Sequence, residues 1–141
     1  MIEIATKDSI NQVQELSNRV FNHTDTEMLK RAHLDPNYKI LVSIDNGIVN
    51  GYISLLVVDK TAEIIEIATQ ESVRGRGVGK QLLASAIQEL KDLGFEGLLL
   101  EVRESNVVAR GLYKAFKFKE ISTRKNYYDG KENAIVMKLE F

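Results

Sequence analysis

Cysteine is absent from this chain of 141 residues. Without thiols there is no disulfide, no thiolate zinc site, and no cysteine to carry an acyl group between two half-reactions. Tryptophan is absent too, and proline occurs once, at Pro36, so the backbone has one obligatory interruption. Neither sign of charge is in excess: 19 basic and 20 acidic residues leave a formal net charge of -1. That speaks against broad nucleic-acid binding, which wants a basic surplus, and leaves room for a local basic patch. No apolar run approaches the roughly 20 residues needed to span a bilayer. The opening Met1-Ile-Glu-Ile-Ala-Thr-Lys7 lacks a secretory pattern. No membrane association is expected, and the expected compartment is the cytoplasm. His23 and His33 stand in a polar segment without companion ligands, so no metal is expected.

What is present describes an ordinary globular chain, 44% hydrophobic and 28% charged. Its length suits one domain, 1–141, around one core. Residues 2–5 read as a short strand. Thr6 or Asp8 can cap a helix that places Ile10, Val13, Leu16, Val20 and Phe21 on one face. Thr24 to Leu34 can form a short second helix, begun near Asp25 or Thr26 and ended by Pro36. Tyr38–Asp45 and Ile48–Val58 are β-rich runs joined across Asn46-Gly47, a strong hairpin signal. Ala62–Thr69 is a third antiparallel candidate. From Val78 the apolar residues fall at helical spacing until Gly94, a C-terminal cap. Gly97–Arg103 reads as a strand buried on both faces, and strand, helix, strand in that order predicts a parallel crossover. Ser105 can cap a helix over about residues 106–116, and two last strands close around Asp129-Gly130.

The chain is organised around Glu71-Ser-Val-Arg-Gly-Arg-Gly-Val-Gly-Lys80, which lies between the apolar run Ile64–Thr69 and the helical pattern from Val78. A strand thus gives way to a Gly-rich basic turn and a helix N-terminus. Gly75, Gly77 and Gly79 let the backbone approach a ligand closely. The first N–H groups of a helix have no internal partner and carry the positive end of its dipole. With Arg74, Arg76 and Lys80 beside them, they make a phosphate cradle. A P-loop is excluded, because Arg74 and Gln81 stand where Gly and Ser or Thr are required. A dinucleotide fingerprint is excluded by Lys80. What fits is Arg-x-x-Gly-x-Gly at Arg74, Gly77 and Gly79, which resembles the pyrophosphate loop of the GNAT superfamily of acetyl-CoA-dependent N-acetyltransferases.

A second constellation lies downstream. Glu101 interrupts an apolar strand, and an unpaired carboxylate in a core is costly, so its side chain should face a cleft, an Arg or water. Asn106, Arg110 and Tyr113 recur at helical spacing and share a face. Leu100-Glu-Val-Arg-x-Ser-Asn106, then Leu112-Tyr113, then Arg124-Lys-Asn-Tyr-Tyr128, then Asp129-Gly-x-Glu-Asn-Ala-Ile-Val-Met137 resembles the ribosomal-protein-alanine N-acetyltransferase family within GNAT. The match runs over about residues 40–141.

The resemblance implies an α/β (α+β) fold with a mixed, mostly antiparallel sheet, helices on both faces, and the order β-α-α-β-β-β-α-β-α-β-β. It implies acetyl-CoA as acetyl donor and a primary amine as acceptor, the N-terminal amine of a protein such as a ribosomal protein. Position by position, Ile67, Ala68 and Thr69 would offer strand backbone to the acyl-pantetheine arm. Arg74, Gly75, Arg76, Gly77, Val78, Gly79 and Lys80 would hold the pyrophosphate, and Asn106 would contact the cofactor. Glu101 would accept a proton and Tyr113 donate one, with Tyr127 and Tyr128 near the acceptor. Plainer roles stand beside these: Glu101 pairing with Arg103 or a Lys, Tyr113 and the tyrosine pair as packing, Asn106 as a helix cap. The absence of cysteine implies direct transfer in a ternary complex, by a monomer or weak homodimer. Two other functions compete: acetylation of a small amine such as a polyamine, amino acid or aminoglycoside, and a non-catalytic acyl-CoA-binding module. The chain departs from the family at Lys117, where members carry Gly, so the turn there is expected to be made differently. It also lacks the aromatic-Pro-Trp element near the substrate side.

Overall fold

The hydrophobic periodicities above become eleven main elements in the computed structural model, which describes residues 1–21 and 25–141. His23, and Thr24 where the second helix was expected to begin, lie outside the described residues. The elements are β1 (Ile2–Ile4), α1 (Ile10–Val20), α2 (Met28–His33), β2 (Tyr38–Asp45), β3 (Ile48–Leu56), β4 (Thr61–Thr69), α3 (Val78–Asp92), β5 (Gly97–Arg103), α4 (Val107–Ala115), β6 (Lys119–Tyr128) and β7 (Glu132–Glu140). A single 3-10 turn, Glu71–Val73, precedes α3. The strands form one seven-stranded sheet in the order β1-β2-β3-β4-β5-β7-β6. All neighbours are antiparallel except β4 and β5. This is the mixed sheet with helices on both faces that the resemblance implied.

Local chemistry explains the joints. Asn46 and Gly47 both take positive φ, 52° and 75°, and Asp129 and Gly130 do the same at 54° and 67°. Tight hairpins want that pair of conformations because their twist matches the strands. Ser9, neither Thr6 nor Asp8, is the N-cap of α1; Thr6 braces the turn before it, its Oγ1 accepting from the N–H of Asp8 and Ser9 while Ser9 Oγ accepts from Thr6 N–H at 2.8 Å. The start of α2 is capped from outside, by Gln14 of α1, whose Oε1 accepts from Leu29 N–H at 2.7 Å and Lys30 N–H at 3.2 Å. At the end of α3, Gly94 (φ 86°) lets Phe95 N–H reach back to the Leu90 carbonyl at 2.9 Å.

Asn106, not Ser105, is the N-cap of α4; its Oδ1 accepts from Ala109 N–H at 3.1 Å. The other end of α4 corrects an expectation. Lys117 itself adopts φ 74°, and Phe118 N–H closes onto the Tyr113 carbonyl at 3.1 Å. The left-handed turn is therefore kept without glycine, with the side chain bearing the steric cost.

The sheet separates two apolar layers. On one face, Leu82, Leu83, Ala86 and Leu90 of α3 pack with Leu98, Leu100 and Val102 of β5 and with Tyr113 of α4. On the other, Val13 and Leu16 of α1 and Leu29 of α2 pack on Ile40, Val42, Val49, Tyr52 and Ala68. β4 serves both. Its register slips between Ser54↔Glu66 and Leu55↔Ile64, a bulge at Ile65. Ile64 thus faces α3, while Glu66 is buried towards α1. β5 is buried on one face only: Leu99 and Glu101, on the face away from α3 and α4, are half-buried.

Candidate active site

The parallel pairing of β4 with β5 is short. It runs from Thr61↔Gly97 to Glu63↔Leu99 and stops. Beyond that point Ile67, Ala68 and Thr69 pair with Ile53, Tyr52 and Gly51 of β3, and Leu100–Arg103 pair with β7. Past Glu63 no described strand pairs with the β5-side edge of β4, which leaves an open strand edge to which an extended ligand could add. The sheet opens into a wedge, and a cleft of about 340 Å³ fills it. Ile67, Glu101, Asn106, Tyr113 and Tyr128 line it together, with Phe21, Glu66 and Ala109.

Glu101 comes from β5 at the rim of the wedge. One oxygen, Oε1, accepts from Arg124 Nη1 at 2.7 Å. Arg124 lies on β6, so the pair reaches over β7. The other oxygen, Oε2, is buried and has no hydrogen-bond partner among the described residues. A carboxylate bound to a guanidinium through one oxygen and unengaged at the other is equipped to take a proton from a group that enters the cleft. Arg103 is occupied elsewhere, with Glu132 at 3.2 Å and Asp129 at 3.8 Å, so the simple pairing of Glu101 with Arg103 is not formed.

Tyr113 comes from the last turn of α4 and is 5% exposed. Its ring packs on Phe118 with centroids 5.6 Å apart. Burial, with a smaller contribution from the neighbouring Tyr128 phenol, pushes its hydroxyl up to about 12. It therefore holds its proton throughout the neutral range, as a donor must. Of the three residues at helical spacing, Asn106 and Tyr113 line the cleft, and Arg110 does not: it donates to the Glu104 carbonyl at 2.9 Å and pairs with Glu120 at 2.6 Å.

The glycine loop borders a second cavity of about 590 Å³, between the N-terminus of α3 and α4. Thr69, Arg74, Gly75, Gly77, Val78, Gly79 and Lys80 line one side, and Val108, Gly111 and Leu112 the other. Gly75 and Gly77 take φ 81° and 84°, which a side chain would strain, and Gly77 is the N-cap of α3 without a side-chain cap. The N–H groups from Gly77 to Lys80 therefore lack intrahelical acceptors. A ligand group with several anionic oxygens fits this donor set, and the pyrophosphate of acetyl-CoA is such a group. Arg76 is exposed and lies outside the lining; Ala68 is buried towards α1, so only its backbone is on offer.

Tyr127 and Tyr128 meet edge to face at 5.1 Å. Arg124 lies over Tyr127 at 4.5 Å and Arg103 over Tyr128 at 4.2 Å. With Glu63, Ile65 and Glu101 they enclose a smaller cavity of about 240 Å³ beside the cleft. Sequence reasoning missed three residues here. Arg124 lies 23 positions from Glu101 and gives no local signal of the pairing. Glu66 accepts from Ser17 Oγ at 3.0 Å and Tyr52 Oη at 2.7 Å, and Glu63 faces Glu101. Both interrupt the apolar run Ala62–Ala68 as Glu101 interrupts its own strand, and that was the available clue.

Comparison with known proteins follows the same lines. The model of the acetyltransferase (GNAT) family matches residues 3–118. A Haemophilus influenzae protein named [ribosomal protein bS18]-alanine N-acetyltransferase is 39% identical over 127 residues, which is 79% of this chain and 86% of that one. The crystal structure of the ribosomal-protein-S18-alanine N-acetyltransferase from Escherichia coli superposes with a TM-score of 0.91 at 29% identity, covering 99% of this chain and 92% of that one. A candidate streptothricin acetyltransferase from Bacillus anthracis, solved in complex with acetyl coenzyme A, is 30% identical, with a TM-score of 0.70 over 76% of this chain and 64% of that one.

Proposed function

This chain belongs to the acetyltransferase (GNAT) family, and we propose that it moves an acetyl group from acetyl-CoA directly to the N-terminal α-amine of a protein, a ribosomal protein in particular. The observation that carries the reading is the state of Glu101: one oxygen held by Arg124, the other buried and unengaged, in a cleft shared with Tyr113. Residues 1–141 act in this reading as one catalytic domain, working in the cytoplasm as a monomer or weak homodimer.

Acetyl-CoA, when bound, supplies an activated acyl group as a thioester. The chain supplies the rest. The N–H groups at the start of α3, with Arg74 and Lys80, hold the pyrophosphate, and the open edge of β4 at Ile67, Ala68 and Thr69 aligns the extended arm. Asn106, whose Oδ1 caps α4, stands at the cleft wall beside it. A peptide α-amine has a pKa near 8, so it arrives largely as an ammonium and cannot attack. Glu101 Oε2 accepts one ammonium proton. The nitrogen then forms its bond to the acyl carbon as the carbon–sulfur bond breaks. The Tyr113 hydroxyl protonates the departing sulfur and is restored by the second nitrogen-borne proton. Ammonium and thioester become amide and thiol, and one proton leaves through Glu101. Tyr127 and Tyr128 wall the approach.

The test is a competitive assay of acetyl-CoA consumption with mass spectrometry of the products. The panel holds peptides with varied N-terminal residues, polyamines, amino acids and aminoglycosides. A protein N-terminus, with alanine first among those tried, is the expected acceptor. Preference for a small amine over every peptide would replace this reading with the small-molecule one.

A further inference from the structure

Of the carboxylates at the site that the mechanism does not use, Glu66 is engaged by Ser17 and Tyr52, which leaves Glu63. It stands at the last paired position of β4, opposite Leu99 of β5, on the same face as Glu101 two residues further on. Both line the cavity closed by Ile65, Tyr127 and Tyr128. Glu63 is half-buried, and its side chain has no hydrogen bond or ion pair among the described residues. We infer that Glu63 is an acceptor-recognition residue, which binds the ammonium of the incoming amine beside Glu101 before the proton is removed. This inference rests on the amine-acetylating reading above.

The charge balance of the cluster carries it. Two carboxylates, Glu63 and Glu101, share one guanidinium, Arg124, which pairs with Glu101. The next cation, Arg103, is neutralised by Glu132 and Asp129. The cavity thus holds one more carboxyl group than it has guanidinium partners, at the rim of the wedge. Burial and then the Glu101 charge push the Glu63 carboxyl upward, against the pull of Arg124, so the pair is electrostatically unfavourable as it stands. A monocation resolves that conflict, and charge-assisted hydrogen bonds to an ammonium are the strong kind. An ammonium held by Glu63 shares its cavity with Glu101, whose second oxygen has no hydrogen-bond partner among the described residues. An amide or hydroxyl in place of the amine would leave the extra carboxyl group without a cationic partner, so the pocket selects amines before chemistry begins.

The experiment compares the full-length wild-type protein with Glu63→Gln and Glu63→Asp. The first readout is steady-state acetylation of the best amine in the panel, peptide or small molecule. Glu63→Gln is expected to raise the acceptor KM about tenfold, with kcat and the KM for acetyl-CoA within about twofold, the pattern of lost ground-state binding. Glu63→Asp should recover part of the loss. The second readout needs no turnover: calorimetric binding, in the presence of coenzyme A, of an N-terminal peptide and its des-amino analogue. Wild-type protein should prefer the amine by about tenfold, and Glu63→Gln should lose most of that preference. An unchanged acceptor KM, or equal preference in wild type and Glu63→Gln, overturns the inference. Turnover of no peptide by the wild-type protein sinks the N-terminal acceptor and leaves both readouts to be made with the small amine.

Discussion

Glu101 and Tyr113 belong to opposite sides of the sheet, one on β5 and the other on the α4 helix, and line the same cleft. Leu100 and Val102 flank Glu101 and pack into the layer that contains Tyr113, so alternation turns the carboxylate the other way. In a continuous sheet the two would be insulated by backbone. They meet because β4 and β5 part after Glu63↔Leu99, and the gap opens a passage through the sheet. Donor thioester can lie on one side and acceptor amine on the other, with bond exchange in the opening.

Replacing Glu101 by Gln keeps the shape and removes the proposed proton acceptor. With saturating substrates kcat should fall about 10²- to 10³-fold, while acetyl-CoA affinity measured by calorimetry stays near the wild-type value. Loss of cofactor binding with intact single-turnover chemistry would place Glu101 in structure instead.

Tyr113→Phe should lower kcat about 100-fold with little change in either KM. The phenol also has a pH signature. Its folded value is about 12 and its ordinary value 10, so the stabilisation it represents is complete below pH 10 and is lost as pH rises towards 12. Chemical denaturation between those pH values should show a steeper loss for wild type than for Tyr113→Phe. Parallel curves would contradict the burial assigned to the hydroxyl.

Lys80→Glu brings a negative charge to the first turn of α3, where the cavity collects free N–H groups. It should raise the acetyl-CoA KM by about tenfold or more and change acceptor KM far less. Arg76→Glu, outside the lining, should give a smaller effect of the same sign. A larger effect at Arg76 than at Lys80 would require the pyrophosphate to sit elsewhere.

Lys117→Gly tests strain directly. At φ 74° a side chain is disfavoured, so the glycine should stabilise the protein by about 1 kcal/mol, after allowing for its freer unfolded chain. That corresponds to a rise of about 3 °C in Tm. Activity should be retained, because Phe118 already returns to the Tyr113 carbonyl. A drop in Tm would show that the Lys117 side chain makes a compensating contact.

Much of this architecture was legible from local pattern. Asn46-Gly47 and Asp129-Gly130 mark hairpins because two consecutive positive φ values suit few other residues. α3 could be read from Val78 to its glycine stop because its apolar stripe repeats at 3.6 residues. The glycine loop and its following helix mark the proposed anion-binding end of the site for the same local reason. At Lys117 local reasoning failed in an instructive way: the missing glycine suggested a different turn, yet the packing of Tyr113 against Phe118 holds the old one.

The chain's own order of residues thus settles which segments are strands and helices, where they turn, and where N–H groups without intrahelical acceptors collect, because each depends on neighbours within a few positions. It also marks Glu101, Glu63 and Glu66 as carboxylates out of place in apolar strands. Which of them meets a cation, a hydroxyl or an open cleft depended on folding. Arg124 finds Glu101 over an intervening strand, Tyr52 and Ser17 find Glu66 through a bulge, and Glu63 is left facing Glu101 where the sheet divides. Strand pairing and register decide those partnerships, and they join residues too distant along the chain for any local pattern to record.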